Sequence, residues 1–391
     1  MTWSNYYVDG ANGDDSAAGT SVATAYETIQ CALDKIADGT IPVDSCIHIL
    51  DTQVYEINGH GNNLDTGADL QCIITGANSS GEVDGTQVTI RATGTWSDAN
   101  IGLWMSNHKQ YTYMNIIFDA NNLAEYAWLR AGSGADSVHF INCRFTKAKG
   151  WGCYQNNSYY QYYACEFDNN GDADTDLHGG SYRTYYGQYY KCVFRDNLGY
   201  GCYCPGQRNT FDQCVFSNNS RYGLALYGES RVADSIFEGN DRGAIYMHGH
   251  ANYMPGQIIN CVFRGNANES TAISSVFSTN DTYYGTLMYN IFDDQVLNNQ
   301  KDGGMTAGSS AAVAARFKFF PTNTIGSVFY EGPTSDCGVT ADDHFGNTDL
   351  TPRRDSAVVG AGLPLLYKIR GSTASDIGMG QTPEDEQISV F

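Results

Sequence analysis

Basic residues are scarce in this sequence: 22 Lys and Arg stand against 43 Asp and Glu, a formal charge of −21. A surface of that sign repels DNA, RNA and anionic membranes, and no basic run offsets it, so neither nucleic acid nor membrane is expected as a partner. It also disfavours acidic polysaccharides unless a cation or a local Arg cluster intervenes. No apolar run reaches about 18 residues, which removes a transmembrane helix. The opening MTWSNYYVDGANGDD lacks the basic start, apolar core and small-residue cleavage site of a secretory signal. The expectation is a chain made and kept in a cytosol, or an extracellular one already trimmed. CxxC, GxGxxG and P-loop motifs are missing, and no nucleophile–base pair stands out. Proline is rare at 8 residues, whereas Gly reaches 43 and Tyr 28. That balance reads as β-rich and turn-rich rather than disordered.

What is present is a repeat. The segments MNIIF (114–118), INCRF (141–145), YACEF (163–167), YKCVF (190–194), DQCVF (212–216), ADSIF (233–237), INCVF (259–263) and MYNIF (288–292) end on a common Phe, at intervals of 21 to 29 residues. A constant motif at a variable interval is a rung joined by loops of changing length, which points to a solenoid. Two residues before the Phe stand Cys143, Cys165, Cys192, Cys214 and Cys261, with Ile116, Ser235 and Asn290 in the other coils. Positions i and i+2 of a strand share a face, so Cys and Phe pile up in two inward columns. The thiols then act as small core residues rather than disulfide partners. Three residues after the Phe come Asn121, Asn170, Asn197, Asn219, Asn240 and Asn266, broken only by Ala148. These predict a turn in the left-handed conformation carrying an amide ladder.

Counting further from each Phe gives a second strand. Offsets 8 and 10 (Cys153/Gln155, Thr175/Leu177, Cys202/Cys204, Leu224/Leu226, Ile245/Met247) read as inward. Offsets 9 and 11 (Tyr154/Asn156, Asp176/His178, Tyr203/Pro205, Ala225/Tyr227, Tyr246/His248) read as outward, and Gly179, Gly206, Gly228 and Gly249 at offset 12 read as a glycine column. Residues 24–38 set Ile29, Ala32, Leu33 and Ile36 on one helical face, with Gly39 as a stop. This is an amphipathic cap over an otherwise open sheet end. The expected fold is all-β: a single-stranded right-handed parallel β-helix with an N-terminal capping helix. Residues 1–40 form strand and cap, 41–300 the β-helix, and 301–391 degenerate coils with a C-terminal closure.

The opening YYVDGANGDD…YETIQCALDKIADG, the repeated NCxF…NN…YGLALYG and the ending TPRRDSAVVGAGLP…ASDIGMGQ resemble the pectate-lyase-like superfamily of right-handed β-helix proteins. The resemblance covers most of the chain and speaks to fold. It says little of activity, because lyases, hydrolases, epimerases, adhesins and phage spikes share this architecture.

Lyases of the superfamily imply carboxylates holding Ca²⁺ beside a Lys or Arg base. The nearest match is Asp172-x-Asp174-x-Asp176-x-His178, whose alternate spacing puts the carboxylates on one side of a strand; an acidic solvated loop reads equally well. Otherwise no cofactor is expected. Glycosidases need paired carboxylates at a set separation, and the polygalacturonase-like series is represented only by His178-Gly179 and His248-Gly249, which also read as a rung residue before a turn glycine. Asp174, Asp176, His178 and His248 are the catalytic candidates. The outward strip Tyr154, Asp176, His178, Tyr203, Tyr227, Tyr246 and His248 offers stacking faces beside polar groups, as polysaccharide binding requires; an aromatic ladder stabilising its own sheet is the alternative. The tyrosine pairs at 159–160, 162–163, 185–186 and 189–190 read as coil packing. Immediately before the rung Phe stand Val193, Val215, Ile236 and Val262 (also Ile117 and Ile291), an outward aliphatic row interrupted by Arg144 and Glu166. Such a row needs cover, which either long loops or side-by-side packing of a homotrimer, the assembly of tailspike-type β-helices, would supply.

The functional expectation is a non-enzymatic phage-type virion structural protein, a capsid decoration or tail spike that grips surface glycans and contacts capsid or tail proteins. Its location would be the virion, after synthesis in the host cytoplasm. The alternative is a polysaccharide lyase or glycoside hydrolase working along the Tyr/His/Asp strip.

Overall fold

The computed structural model describes most of residues 3–266, apart from short stretches of which 173–177 bears most on function; beyond 266 it describes only a few strands. The chain divides into two compact units, Met1–Tyr203 and Cys204–Phe391.

In the first unit each coil contributes one strand to each of three parallel sheets. Sheet A runs from Ser4–Val8 through Ser45–Leu50, Cys72–Ala77, Tyr111–Met114, Ser137–Ile141 and Tyr159–Tyr163 to Gly187–Tyr190. Sheet B stacks Tyr55–Asn58, Val88–Thr93, Ile116–Asp119, Arg144–Thr146, Glu166–Asp168 and Val193–Arg195. Sheet C stacks Leu64–Thr66, Gly102–Ser106, Tyr126–Arg130, Trp151–Gln155, Gly179–Arg183 and Tyr200–Cys204. The second unit repeats the plan, with Thr210–Asp212, Val215–Ser217 and Tyr222–Tyr227 as its first coil and Arg231–Ala233, Ile236–Glu238 and Gly243–His248 as its second.

The Phe column is in register coil by coil. Phe118, Phe145, Phe167 and Phe194 are fully buried and stack at 5.2, 4.9 and 4.7 Å between ring centroids. In the second unit Phe216, Phe237 and Phe263 do the same at 4.6 and 5.1 Å. Offset stacking adds to the area each ring buries, so truncating one to Ala costs about 3–5 kcal/mol. The cysteines two residues earlier are buried and all eleven described ones are free thiols. Their Sγ atoms face main-chain carbonyls, as Cys165 faces the Phe140 carbonyl at 3.4 Å. Burial pushes the Cys143 and Cys165 thiols far enough up to keep them protonated and inert.

The asparagine ladder forms with one correction. Asn170 and Asn197 are fully buried; Asn170 Nδ2 donates to the Phe145 carbonyl at 3.0 Å and to Asn197 Oδ1 at 3.1 Å. Asn219, Asn240 and Asn266 repeat this in the second unit at 2.8 Å per step. Asn121 is itself left-handed (φ 53°), as expected, but in the later coils the left-handed residue is the one before the ladder: Lys147 (φ 55°), Asn169 (54°), Asp196 (55°) and Asn218 (52°). The αL residue makes the corner, and the amide behind it satisfies buried main-chain groups.

The cap is a helix over Ile29–Ala37, N-capped by Thr28, whose hydroxyl accepts from the Cys31 N–H, and it buries Ile29, Ala32, Leu33 and Ile36 as its periodicity requires. Of residues 301–391, only the strands Thr324–Ile325 and Val328–Phe329 fall among the described residues.

Candidate functional site

Sheet C carries the outward strip, and its glycines set the phase. Gly152, Gly180 and Gly223 lie where an added Cβ would come within 3 Å of a buried neighbour, either the rung Phe Cβ or a ladder Asn amide. The strands WGCYQ, GGSYR and YGCYC therefore share one frame: a corner residue, a glycine, an inward residue, an outward tyrosine and a second inward residue. Cys153, Gln155 and Cys202 are inward and buried, as are Cys204, Leu224, Leu226 and Ile245 in the second unit.

The coil after Phe167 departs from the fixed count. Its third strand begins at Gly179, twelve residues on, whereas Trp151 begins six residues after Phe145. The inward pair of this strand is Ser181 and Arg183 and its outward residue is Tyr182; Thr175, Leu177 and Asp176, read from the fixed count, lie outside the described residues. Gly179 pairs with Trp151 and Tyr200 at the strand start, so it forms no column with Gly206. Asp174 and Asp176, both catalytic and cation candidates, lie outside the described residues; Asp172 is described and exposed. Ala225, expected to face outward, is fully buried. Tyr182 was missed because the count ran from Phe across a loop of unequal length; matching GGSYR to WGCYQ would have found it.

Tyr154, Tyr182 and Tyr203 are paired in register. Their rings stack at 4.6 Å (interplanar 12°) and 5.6 Å (28°). Trp151 stands edge-on to Tyr182 at 5.3 Å and to the His178 ring at 6.1 Å, and Tyr126 packs on Tyr154 at 5.0 Å. His178 is held just before its strand, where its carbonyl accepts from the Tyr200 N–H at 3.0 Å. Two coils earlier at the same level stands Glu125, and between them lies Gly150, whose amide donates to the Glu125 carbonyl at 2.8 Å. A Cβ on Gly150 would sit 2.5 Å from Glu125 Oε1. The missing side chain leaves a slot across which Glu125 Oε1 approaches His178 Nε2 to 3.9 Å. Burial pushes the Tyr154 hydroxyl up from its ordinary value, so that ring stays a neutral phenol. In sum, flat apolar ring faces border a carboxylate and an imidazole, both partly exposed.

Behind this face the core is unexpectedly polar. Arg183, 1% exposed, donates to Gln155 Oε1 at 3.0 Å and lies 4.7 Å over the Tyr160 ring. Arg130 Nη1 donates to the Tyr160 hydroxyl at 3.4 Å. These contacts fix the strands that carry Tyr154 and Tyr182.

In the second unit Tyr246 packs on Tyr222 at 5.2 Å. The side chains of Tyr227 and His248 lie outside the described residues. Of the aliphatic row, Val193, Val215 and Ile236 are half-buried, and Val262 is fully buried within its own chain. A cavity near the N-terminal helix, lined by Thr28, Gln30, Tyr55, Glu56 and Asn58 among others, contains none of the predicted catalytic, glycan-binding or cation-site residues. Among the described residues no three His, Cys, Asp or Glu side chains converge as a metal site requires, and no helix is long and apolar enough to cross a membrane.

The sequence profile described as the right handed beta helix region matches residues 43–241, half of the chain. The chain belongs to the right-handed β-helix family. No curated protein matches the sequence. Among solved structures, the crystal structure of pectate lyase Pel9A is similar at a TM-score of 0.67 and 12% identity, over 98% of this chain and 97% of that one. A Geobacillus virus E2 protein, ORF18, is similar at 0.47 and 13%, over 70% and 59%. A GH136 lacto-N-biosidase from Eubacterium ramulus is similar at 0.31 and 13%, over 75% and 52%. At these identities the likeness to Pel9A is one of fold, and the pectate-lyase-like β-helix is the fold of this chain.

Proposed function

We propose that this β-helix is a non-catalytic glycan-binding protein of a virion surface, and that sheet C of its first unit holds the sugar. The observation that carries the reading is the in-register stack of Tyr154, Tyr182 and Tyr203 beside Trp151, His178 and Glu125. Ring faces remove the apolar side of a pyranose from water, while carboxylate and imidazole direct hydrogen bonds to its hydroxyls. Half-buried Val193 in the first unit, and Val215 and Ile236 in the second, support a homotrimer in which copies cover one another's aliphatic residues. Titration calorimetry with neutral and uronate oligosaccharides tests the binding. Tyr182→Ala should weaken affinity tenfold or more, and a protein that binds no glycan of either class ends the proposal. Light scattering tests the trimer.

One observation favours the enzymatic reading: the 3.9 Å approach of Glu125 to His178 sets side by side two side-chain types used in general acid–base catalysis. A lyase or hydrolase using them would release unsaturated or reducing ends, and His178→Ala would abolish the release. Absence of product from every glycan that binds removes this second reading.

A further inference from the structure

The tyrosine doublets divide their rings between inside and outside. Tyr160, Tyr162 and Tyr189 point into the core, where Tyr162 and Tyr189 stack at 4.6 Å. Their neighbours turn outward on sheet A. Tyr159, 54% exposed, stacks on Tyr186 at 4.8 Å; Tyr163, 46% exposed, stacks on Tyr190 at 5.3 Å. Between the two pairs Gln161 Nε2 donates to Gln188 Oε1 at 3.0 Å, in a register that sets Gln161 beside Gln188 and Tyr163 beside Tyr190. The second hydrogen-bonding atom of each amide remains for a ligand. Tyr159 and Tyr163 lie four residues apart on one strand, about 13 Å, a length suited to an oligosaccharide rather than one sugar.

The charge pattern narrows the ligand. In a chain of net charge −21, neither of these two rungs turns a carboxylate outward, and the preceding rung adds only Ser137, His139 and Ile141. One cation, Lys191, lies 5.3 Å over the Tyr190 ring at the corner. Among the described residues of these two strands no Lys or Arg flanks Gln161 and Gln188, so a uronate chain would gain little there, while the field of the whole protein opposes it. An uncharged chain of hydroxylated rings meets stacking faces at both ends and amides between.

We propose that the outward face of sheet A, built from Tyr159, Tyr163, Gln161, Gln188 and Tyr190, is a second carbohydrate-binding platform that takes neutral linear hexopyranose or pentopyranose oligosaccharides. It stands on residues separate from those of the sheet C site, and either site can fail alone.

The test uses the full chain with cellohexaose, maltohexaose and xylohexaose as neutral probes and hexagalacturonate as the anionic one. Affinity is measured for wild type, for Tyr154→Ala/Tyr182→Ala, which disables sheet C, and for Tyr159→Ala/Tyr163→Ala. The substituted sheet A residues are exposed, so an unchanged melting temperature is expected. Support is a neutral hexasaccharide that still binds the sheet C double variant and loses tenfold or more in affinity when Tyr159→Ala/Tyr163→Ala is added. Binding abolished by the sheet C variant alone overturns the platform and leaves the sheet C reading intact. Binding that depends only on Tyr159 and Tyr163 supports the platform and overturns sheet C. The proposal also fails if no neutral probe binds, if hexagalacturonate binds as tightly, or if Tyr159→Ala/Tyr163→Ala abolishes a self-association seen by light scattering. In that last case a second copy occupies the face.

Discussion

Two outward faces of the first unit handle charge in opposite ways. On sheet B, Arg144 grips Asp168 through Nε at 2.7 Å and Nη2 at 2.6 Å, and approaches Glu166 at 3.7 Å. Arg195 holds the other side of Glu166 through Nε at 2.6 Å, and Arg91 holds Asp119 at 2.8 Å. The side chains of Asp119 and Asp168 are 4% and 0% exposed, so these carboxylates are sealed by their cations. Sheet A spends no charge on the strands Tyr159–Tyr163 and Gly187–Tyr190, and shows tyrosine and amide to solvent. The difference teaches that the first face is committed to itself: its hydrogen-bonding capacity is used within the coil stack. The second has donors, acceptors and ring faces to give away.

The contrast breaks most sharply at Asp168. Replacing it with Ala strips Arg144 of its bidentate partner beside a buried position. Because Arg144 is one-third exposed and regains some water, the loss should be about 2–3 kcal/mol rather than the full penalty of a buried pair. Urea unfolding of wild type and variant measures it. The same residue predicts a pH dependence. Burial pushes the Asp168 carboxyl up, but the Arg144 hydrogen bonds and charge, with Asn169, outweigh that and hold it below its ordinary 3.8. The folded state thus favours the ionised form; the stabilisation is complete above the unfolded pKa and drains away as pH falls through the folded one. Melting temperature should drop below about pH 4 in wild type, with less of a drop in Asp168→Asn. A flat difference between the two across that range would contradict the assignment.

A smaller effect comes from putting sheet B chemistry onto sheet A. Gln161→Glu with Gln188→Glu sets two carboxylates side by side without an arginine, and should cost about 1 kcal/mol, recovered in high salt. In the second unit a carboxylate feels both a second carboxylate and an arginine. Burial first, and Asp234 second, push Asp212 above its ordinary pKa, with Arg231 at 3.9 Å compensating in part. Here the sign reverses: the folded state prefers the protonated acid, so stability rises as pH falls through the folded pKa. Asp212→Asn should stabilise slightly at pH 7, by about 0.5 kcal/mol or less, with the gain fading in acid. The smallest change is expected for Tyr163→Ala, within about 0.5 kcal/mol by denaturant unfolding, because its ring is half in water already. A loss of 2 kcal/mol or more, on the order of a core truncation, would show that the exposed tyrosines are structural and sharpen the case against the platform.

Much of the coil was legible in the residues. The Phe and Cys columns, the Asn ladder and the buried face of the helix Ile29–Ala37 follow from spacings of two, three and 3.6 residues, because within one strand or one helix the chain geometry is fixed locally. Errors accumulated across loops. Counting from Phe167 by a fixed offset stopped short of Gly179–Arg183 and missed Tyr182, Ser181 and Arg183. A buried arginine is not something a hydrophobic pattern announces; it is tolerated because Gln155 and Tyr160 receive it. The doublets at 159–160 and 162–163 read as packing, yet alternation sends one ring of each to water.

The sequence by itself determined that the chain winds, which residues fill the rungs and where one end is capped, since each depends on neighbours a few bonds away. Only the tertiary structure decided that Glu125 meets His178 over Gly150, that Tyr182 joins Tyr154 and Tyr203, and that Arg144 seals Asp168. Those contacts link residues about twenty to fifty positions apart, and stacking brings them together at a strand spacing of about 4.8 Å, with a phase set by loops whose lengths obey no repeat.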